Sequence, residues 1–317
     1  MQEAQLKLRK LARQLFADRK IDLLIGFEKG TLPLRATPCF VRREEEADRL
    51  VWNSFCENNL AKYIIRRPER VAIMAKGCDV RAAVELIKEN QISREQLVII
   101  GIPCQGMVDR RLVKAELQER EILEVVEKDN ELILKGGDFK ETLDRNTFLY
   151  HSCKTCTHRN PVIYDVLVGD VVEESNVDPY EDVKQFEDQL SEERWEYFSK
   201  EFTRCIRCYA CRNACPLCYC QECFVDSSSP PWIGKTTNES DTAIFHLMRA
   251  FHLAGRCVEC GACERACPVG VDIRKLHRKL ARDVKERFGY ESGVSLEQVT
   301  PLATFKPDDP EEFILNP

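Results

Sequence analysis

Short apolar runs alternate with amphipathic stretches between residues 20 and 170. The runs are rich in Val, Ile and Leu and predict buried strands, whereas the amphipathic stretches predict helices. The predicted strands are 21–26, 70–76, 96–101, 122–128, 131–136 and 162–169, and the predicted helices lie near 43–66, 79–90 and 105–120. Strands that alternate with helices in this way predict an α/β domain, which we place at 1–170.

The pattern changes after residue 170. Residues 171–203 are acidic and predict a solvated linker helix that covers one face. Residues 204–289 carry most of the cysteines and contain two further predicted helices, at 238–255 and 271–288. The tail, 290–317, has four prolines and no helical or strand period. It is expected either to be disordered or to dock on a partner as an arm.

Composition narrows the class of protein. The net charge is −6, and no basic stripe is present, so nucleic-acid binding is not expected. No apolar run approaches the roughly 20 residues that cross a bilayer. The first 20 residues have helical apolar spacing broken by charges, unlike a signal peptide. We therefore expect a cytoplasmic protein without a membrane span.

The cysteine content is the most informative feature of the composition. The chain has 17 cysteines, and eleven of them fall between positions 205 and 267. A chain of this size can bury a core without disulfides, and nothing in the sequence exports it. In a reducing compartment, clustered cysteines are more often metal ligands. One or two could be small buried hydrophobes, but eleven in one segment could not.

Two motifs of the form C-x2-C-x2-C-x3-C-P organise this segment. In such motifs three thiolates hold one [4Fe-4S] cluster and the fourth reaches the other cluster. This spacing assigns a first set and a second set of ligands. The first set is Cys205, Cys208, Cys211 and Cys267, and the second set is Cys257, Cys260, Cys263 and Cys215. Zinc is the structural alternative, although zinc sites use paired C-x2-C spacings instead.

The insertion between the motifs points to a helical fold. Cys215 and Cys257 are separated by 41 residues, and the segment between them includes the predicted helix at 238–255. The sequence HLAGRCVECGACERACPVGVDI resembles the α-helical ferredoxin domain of fumarate reductase iron–sulfur subunits and heterodisulfide reductase small subunits. That resemblance implies an α-helical dicluster ferredoxin domain at 204–289.

Two more cysteines follow predicted strands of the α/β domain. Cys78 comes after the strand at 70–76, and Cys104 comes after the strand at 96–101. If these strands are parallel neighbours, both thiols lie at one edge of the sheet near helix N-termini, where the dipole favours thiolate. Cys153 and Cys156 form a C-x2-C pair before the strand at 162–169.

The order of these segments resembles a known family, the beta subunits of coenzyme F420-reducing hydrogenase and formate dehydrogenase. The matching pieces are VAIMAKGCDVRAAVELI, LVIIGIPCQGM and CKTCTHRNPVIYDVLVGD, within about 71–170. The resemblance implies a third [4Fe-4S] cluster beside FAD, held by a third set of ligands. The third set is Cys78, Cys104, Cys153 and Cys156. Unpaired buried thiols, with a zinc or redox role for the C-x2-C pair, are the alternative.

The chain departs from this family in two places. The region between the PCQ loop and the C-x2-C pair is shorter than is usual there. The acidic segment 171–201 stands where the family has a stretch that helps to form the flavin site. Retention of FAD is therefore left open.

Three cysteines remain in a compact loop after the first motif. Cys218, Cys220 and Cys223 are one ligand short of a cluster, and Cys39 or Cys56 could supply it. A fourth cluster and spare structural thiols are both compatible with this count.

Several clusters without an evident substrate pocket predict a non-catalytic electron-transfer subunit of an anaerobic redox complex. Its partners would be flavin-, hydrogenase-, formate dehydrogenase- or heterodisulfide-reductase-like subunits. Two other hypotheses stay open. One is an FAD-containing oxidoreductase that exchanges hydride with a deazaflavin or nicotinamide, as the resemblance implies. The other is a zinc-stabilised scaffold.

Overall fold

The computed structural model describes residues 2–301 of the chain. The strands are β1 (Leu23–Lys29), β2 (Ala36–Val41), β3 (Val71–Ala75), β4 (Leu97–Gly101), β5 (Glu124–Lys128), β6 (Glu131–Lys135), β7 (Lys140–Asp144) and β8 (Val166–Leu167). The α-helices are α1 (Gln2–Ala17), α2 (Gly77–Lys88), α3 (Arg110–Glu116), α4 (His151–Lys154), α5 (Glu181–Glu187), α6 (Ser191–Thr203), α7 (Ala210–Ala214), α8 (Glu239–His252), α9 (Ala262–Ala266) and α10 (Arg274–Phe288). The described chain is thus α/β in its first half and helical in its second.

A mixed five-stranded sheet forms the centre of the α/β half. Its strand order is β2-β1-β3-β4-β8, in which only β2 is antiparallel to its neighbour. Every residue of β3 is buried, as expected of a central parallel strand covered on both faces. Because β3 and β4 are parallel and in register, the loops that follow them leave the same edge of the sheet.

The predicted strands are present, most of them with shorter ends, and two strands were missed. The run predicted at 162–169 pairs with β4 over only the two residues of β8. The missed β2 contains Pro38 and alternates buried with exposed positions at the edge of the sheet. The missed β7 is largely polar and completes the three-stranded antiparallel sheet β5-β6-β7. Neither strand has the continuous apolar run that marks a buried one.

The helix predicted at 43–66 is wrong. Two short 3-10 helices, Glu44–Arg49 and Leu60–Tyr63, stand there instead. The side chain of Asn53 accepts a hydrogen bond from the backbone N–H of Phe55, and Asn59 does the same for Ala61. Such local bonds from Asn side chains compete with helix formation, which explains the interruption.

The acidic segment also differs from the expectation of one solvated helix. It forms two helices, α5 and α6, which pack against α10 and α8 respectively. Phe186 of α5 makes edge contacts with Tyr197 and Phe198 of α6. Arg278 of α10, 2% exposed, donates to Asp182 of α5. The negative charges of the segment therefore face the cationic helix α10 as well as solvent.

Two short helices carry the cysteine motifs. Helices α7 and α9 follow the second cysteine of each motif and pack on each other. Each begins after a residue in the left-handed region, Tyr209 at φ 58° and Gly261 at φ 72°. The two motifs thus adopt matching backbone conformations side by side.

Part of the predicted tail is packed. Glu85 of α2, which is fully buried, accepts hydrogen bonds from Tyr290 Oη at 2.6 Å, Gly293 N at 2.6 Å and Thr300 Oγ1 at 3.4 Å. Residues 290–300 therefore fasten the helical half onto the α/β half. The remainder of the tail, 302–317, lies outside the described residues. None of the helices within 2–301 has the length and apolarity that a bilayer crossing requires.

Candidate iron–sulfur centre

The structure brings the cysteines of the first set together. Removal from water raises the pKa of Cys205, and the charges of Cys267 and Cys208 raise it further. Backbone N–H groups point at two of the sulfurs, from Arg207 to Cys205 Sγ at 3.4 Å and from Val271 to Cys267 Sγ at 3.2 Å. The last cysteine of the second motif thus lies with the cysteines of the first motif.

The second set has the reciprocal arrangement. Removal from water raises the pKa of Cys260 to about 11, and the charge of Cys215 contributes to this increase. Cys215 has the same effect on the pKa values of Cys257 and Cys263, again after that of burial. Because α7 and α9 lie side by side, the last cysteine of each motif faces the loop of the other.

The third set lines one cavity at the edge of the central sheet. Cys78 lies at the start of α2 after β3, and Cys104 lies in the loop after β4. Cys153 belongs to α4, and Cys156 follows it. The same cavity is lined by Cys260 of the second set. The cavity therefore lies between the α/β half and the second motif.

Close backbone packing fixes this edge. A Cβ added at Gly77 would lie 2.9 Å from the carbonyl oxygen of Asn160 and closer still to that of His158. Only glycine allows the loop after the C-x2-C pair to approach α2 this closely. Backbone N–H groups of Gly106 and Met107 each lie 3.3 Å from the Sγ atoms of Cys104 and Cys153 respectively.

Neighbouring sets also influence one another. Burial raises the pKa of Cys211 in the first set to about 12, and the charge of Cys263 in the second set adds to this. Removal from water raises the pKa of Cys78 in the third set, and the charge of Cys260 in the second set contributes. The second set thus lies between the other two.

Buried cations accompany the three sets. Arg207 is 7% exposed and its charge acts on Cys205. Arg249, 3% exposed, donates to the carbonyl oxygen of Cys211 at 3.1 Å. Lys76, 2% exposed, forms an ion pair with Asp79 at 2.8 Å and donates to the carbonyl oxygen of Asn58 at 2.9 Å. Positive charge is therefore fixed beside the thiols of each half.

Arg265 lies between the second and third sets. Burial opposes its charge, but the charges of Cys260, Cys153 and Cys78 outweigh burial and raise the pKa of Arg265 above its ordinary value. A single guanidinium therefore responds to thiols of both sets.

The residues fit [4Fe-4S] clusters as resident groups. Metal ligation requires thiolates, but desolvation raises the pKa of most of these thiols and disfavours the charged form. Bound iron would offset that cost together with the nearby cations, and backbone N–H groups directed at sulfur are a common feature of cluster loops. Among residues 2–301, no three His, Cys, Asp or Glu side chains are arranged to hold a single metal ion.

The loop cysteines are not brought together with Cys39 or Cys56. Cys218 donates a hydrogen bond that lowers the pKa of Cys215 in the second set. Cys220 is exposed. Cys39 is buried in β2, where it is paired with Gly26 of β1. Cys56 is buried near Lys76 and near Cys104 of the third set. The fourth-cluster hypothesis therefore gains no ligand from either buried cysteine.

One polar contact at the first set was not anticipated from the sequence. His246 of α8 is 3% exposed, and its Nε2 atom lies 3.3 Å from Cys205 Sγ. Its ring stacks on Phe202 at 5.8 Å between centroids. Burial, with the charges of Arg249 and Arg207, lowers the pKa of His246 to about 3. The imidazole is therefore neutral, and beside a ligated cysteine, which carries no proton, its Nε2 atom would be the protonated nitrogen that donates to sulfur.

Comparison with known proteins tests the predicted resemblance. Residues 68–181 match the family model for the C-terminal part of the coenzyme F420 hydrogenase/dehydrogenase beta subunit. Residues 201–271 match a family model described as "4Fe-4S dicluster domain". This chain joins these two domains. The predicted resemblance is thereby confirmed, and the second match supports [4Fe-4S] clusters within residues 201–271.

Relatives of this two-domain chain extend over most of its length. The F420-dependent formate dehydrogenase subunit beta of Methanocaldococcus jannaschii is 25% identical, with 90% of each chain covered. The F420-dependent formate dehydrogenase 1 subunit beta of Methanococcus maripaludis is 25% identical, over 86% of this chain and 87% of the relative. These matches confirm the prediction of an iron–sulfur electron-transfer subunit.

A solved structure overlaps less well. It is the xenon-derivatised F420-reducing [NiFe] hydrogenase complex from Methanosarcina barkeri, with a TM-score of 0.38 and 12% identity. The overlap covers 50% of this chain and 63% of that chain, which is too low to define a shared fold.

Proposed function

We propose that the protein is the iron–sulfur electron-transfer subunit of a formate dehydrogenase- or hydrogenase-type complex, with a [4Fe-4S] cluster at each of its three cysteine sets. The observation that carries this proposal is the position of Cys260. It belongs to the second motif and also lines the cavity of the third set. The cysteines of the α/β half and those of the dicluster domain therefore adjoin.

The helical half supports the α-helical ferredoxin class for residues 204–289. Helix α8 is inserted between the two motifs, and this described stretch contains helices, turns and loops but no strand. Two buried side chains of α8 reach the cysteines. His246 contacts Cys205 of the first set, and Arg249 lies near cysteines of both the first and the second set. The inserted helix thus shapes the surroundings of both sets.

The chain's own residues hold and surround the groups. Cysteine thiolates would ligate iron. The sulfurs of Cys104, Cys153, Cys205 and Cys267 accept from the backbone N–H groups of Gly106, Met107, Arg207 and Val271 respectively. The buried cations Lys76, Arg207, Arg249 and Arg265 would offset negative charge. Bound [4Fe-4S] clusters supply one-electron oxidation and reduction. No nucleophile or acid–base pair is needed for that task. Partner subunits would supply the donor and the acceptor.

A second candidate is an FAD-containing oxidoreductase subunit that exchanges hydride with a deazaflavin or nicotinamide. It is favoured by the relatives' names, which specify dependence on F420. Hydride exchange requires a two-electron group beside the one-electron sites. Measurement of flavin separates the two candidates.

The test is the content of iron, sulfide, zinc and FAD in full-length protein purified without oxygen. Three clusters give about twelve irons per chain, and two give about eight. Cys78→Ser should lower the iron content by about four. Cys39→Ala is the matched control, because this buried thiol lies in β2, and it should leave the iron content unchanged.

Crossed ligation is tested on the same protein. Cys215→Ser should alter the EPR signal of the second set, and Cys267→Ser should alter that of the first set. About eight irons in the wild type would overturn the third cluster. Zinc without acid-labile sulfide would overturn the proposal as a whole, and FAD near one per chain would favour the second candidate.

A further inference from the structure

We propose that Gly261, Ser152 and Arg265 form a joint that holds the second set against the third set and fixes their separation. The inference rests on the proposed function, because it requires clusters at both sets. The joint connects the loop of the second motif to helix α4, two segments more than 100 residues apart in the chain.

Steric contact is the first observation. Gly261 lies directly after Cys260, and Ser152 lies directly before Cys153. A Cβ added at Gly261 would lie 2.7 Å from Ser152 Cβ and closer still to Ser152 Oγ. Both distances are shorter than van der Waals contact. The two ligand-bearing loops therefore approach as closely as a glycine allows.

Backbone conformation does not by itself explain this glycine. The equivalent position of the first motif is Tyr209, which has φ 58° against 72° at Gly261. The first motif therefore accommodates a full side chain in the same left-handed conformation, with the ring of Tyr209 packed against Phe245. At Gly261 the steric requirement comes from Ser152, whose side chain lies opposite it.

Arg265 ties the same two loops together. Its Nη1 atom donates to the carbonyl oxygen of Cys260 at 2.7 Å and to Ser152 Oγ at 3.4 Å. The guanidinium lies over the ring of Tyr150, 5.2 Å from the centroid, and the Tyr150 hydroxyl donates to Glu57. One cation thus contacts the backbone of a second-set ligand and the residue beside a third-set ligand.

The joint has a consequence for electron exchange. Electron tunnelling falls steeply with the separation of two sites, and magnetic dipolar coupling falls with the cube of that separation. A displacement of the loops should therefore change the coupling while every cysteine keeps its place in its own set.

The experiment uses the full-length, anaerobically purified protein reduced for EPR. In the wild type we expect a spin–spin splitting between the second and third sets. Gly261→Ala should retain the wild-type iron content and show a decreased splitting. Gly270→Ala is the matched control, because Gly270 also has a positive φ, 65°, but its added Cβ would meet only Arg204 Nη2 at 3.5 Å. This control should keep the wild-type splitting.

A double variant separates contact from strain. Gly261→Ala with Ser152→Gly removes the opposing side chain but keeps alanine in the left-handed conformation, and it should restore the splitting. Failure of this rescue, or a wild-type splitting in Gly261→Ala, would overturn the joint. If Gly261→Ala does not fold, Ser152→Val provides the test, because it adds bulk to the same contact from helix α4. An unchanged splitting in Ser152→Val would also overturn the joint.

The two proposals fail in different ways. A wild-type protein with about eight irons contradicts the third cluster itself. About twelve irons, with a splitting that is insensitive to Gly261 and Ser152, leaves the proposed function intact and contradicts only the joint.

Discussion

The side chain of His246, on helix α8, contacts the sulfur of the first-set ligand Cys205. Its ring is enclosed by Phe202 and Phe245, and its Nδ1 atom has no hydrogen-bond partner among the described residues. The one polar contact of the imidazole within 2–301 is therefore the 3.3 Å approach of Nε2 to Cys205 Sγ. A donor fixed in this way stabilises negative charge on sulfur.

Replacement of His246 should lower the midpoint potential of the first set. The reduced state carries more negative charge, so it gains more from the N–H donor. A differential stabilisation of about 1.4 kcal/mol corresponds to about 59 mV for one electron. His246→Leu should therefore shift the potential downward by tens of millivolts, as measured by redox titration with EPR.

The control for this prediction is His252→Leu, on the same helix. The ring of His252 packs edge-on against Phe224 at 5.1 Å. A comparable shift in both variants would mean that the hydrogen bond to Cys205 has no special effect.

Sequence reasoning predicts the three cysteine sets but not the polar residues around them. The motif spacing predicts the crossed first and second sets, and the family resemblance predicts the third. Arg265, Ser152 and His246 acquire their roles only from long-range contacts. The bond from Arg265 to Ser152 joins residues 113 positions apart, so no local spacing reports it.

At the scale of elements, continuous apolar runs were the reliable signal. Strands β1, β3, β4 and β6 follow from such runs, and β5 from a shorter one that Glu124 interrupts. The edge strand β2 and the polar strand β7 have no such run. Their pairing is determined by their neighbours in the fold, so the local sequence does not reveal it. Helix prediction failed at 43–66, where Asn side chains bond to the local backbone.

The packing of α8 against α10 makes stability dependent on pH. Burial lowers the pKa of His277 in α10 well below 6.5, and the charge of Arg249 lowers it further. The folded protein therefore keeps this imidazole neutral, whereas the unfolded chain takes up a proton below about pH 6.5. Stability falls as the pH drops through that value, by about 1.4 kcal/mol per pH unit for this group.

His277→Gln should reduce this acid sensitivity. The amide oxygen of glutamine can still accept the bond that Arg249 Nη1 makes to His277 Nε2 at 2.9 Å, but it does not titrate. The decrease in melting temperature between about pH 7 and about pH 5.5 should be smaller in the variant than in the wild type. Equal decreases would contradict the assignment.

At the scale of the whole molecule, two glutamates are among the contacts that join the halves. One is Glu85, whose carboxylate accepts hydrogen bonds from the segment 290–300. The other is Glu89, the residue that follows α2, which accepts from Arg256 Nη2 at 2.7 Å and from Tyr219 Oη at 2.6 Å. Both glutamates come from the region of α2, so this helix and its end anchor the helical half.

Glu85→Ala should loosen the first of these contacts. The substitution would leave the N–H of Gly293 and the amine of Lys88 without this buried acceptor. Removal of one partner of a buried ion pair lowers the free energy of unfolding by about 3–5 kcal/mol. We expect a lower melting temperature and faster proteolysis within 290–300. Glu297→Ala, an exposed glutamate of the same segment, is the control and should behave as the wild type.

Exposure differs among the twelve cysteines of the three sets. Cys208 is the exposed member, and the other eleven are buried or partly covered. Dioxygen and other oxidants in solution therefore meet the first set before the others. Damage on contact with air should begin at the first set, at the far end of the helical half from the sheet.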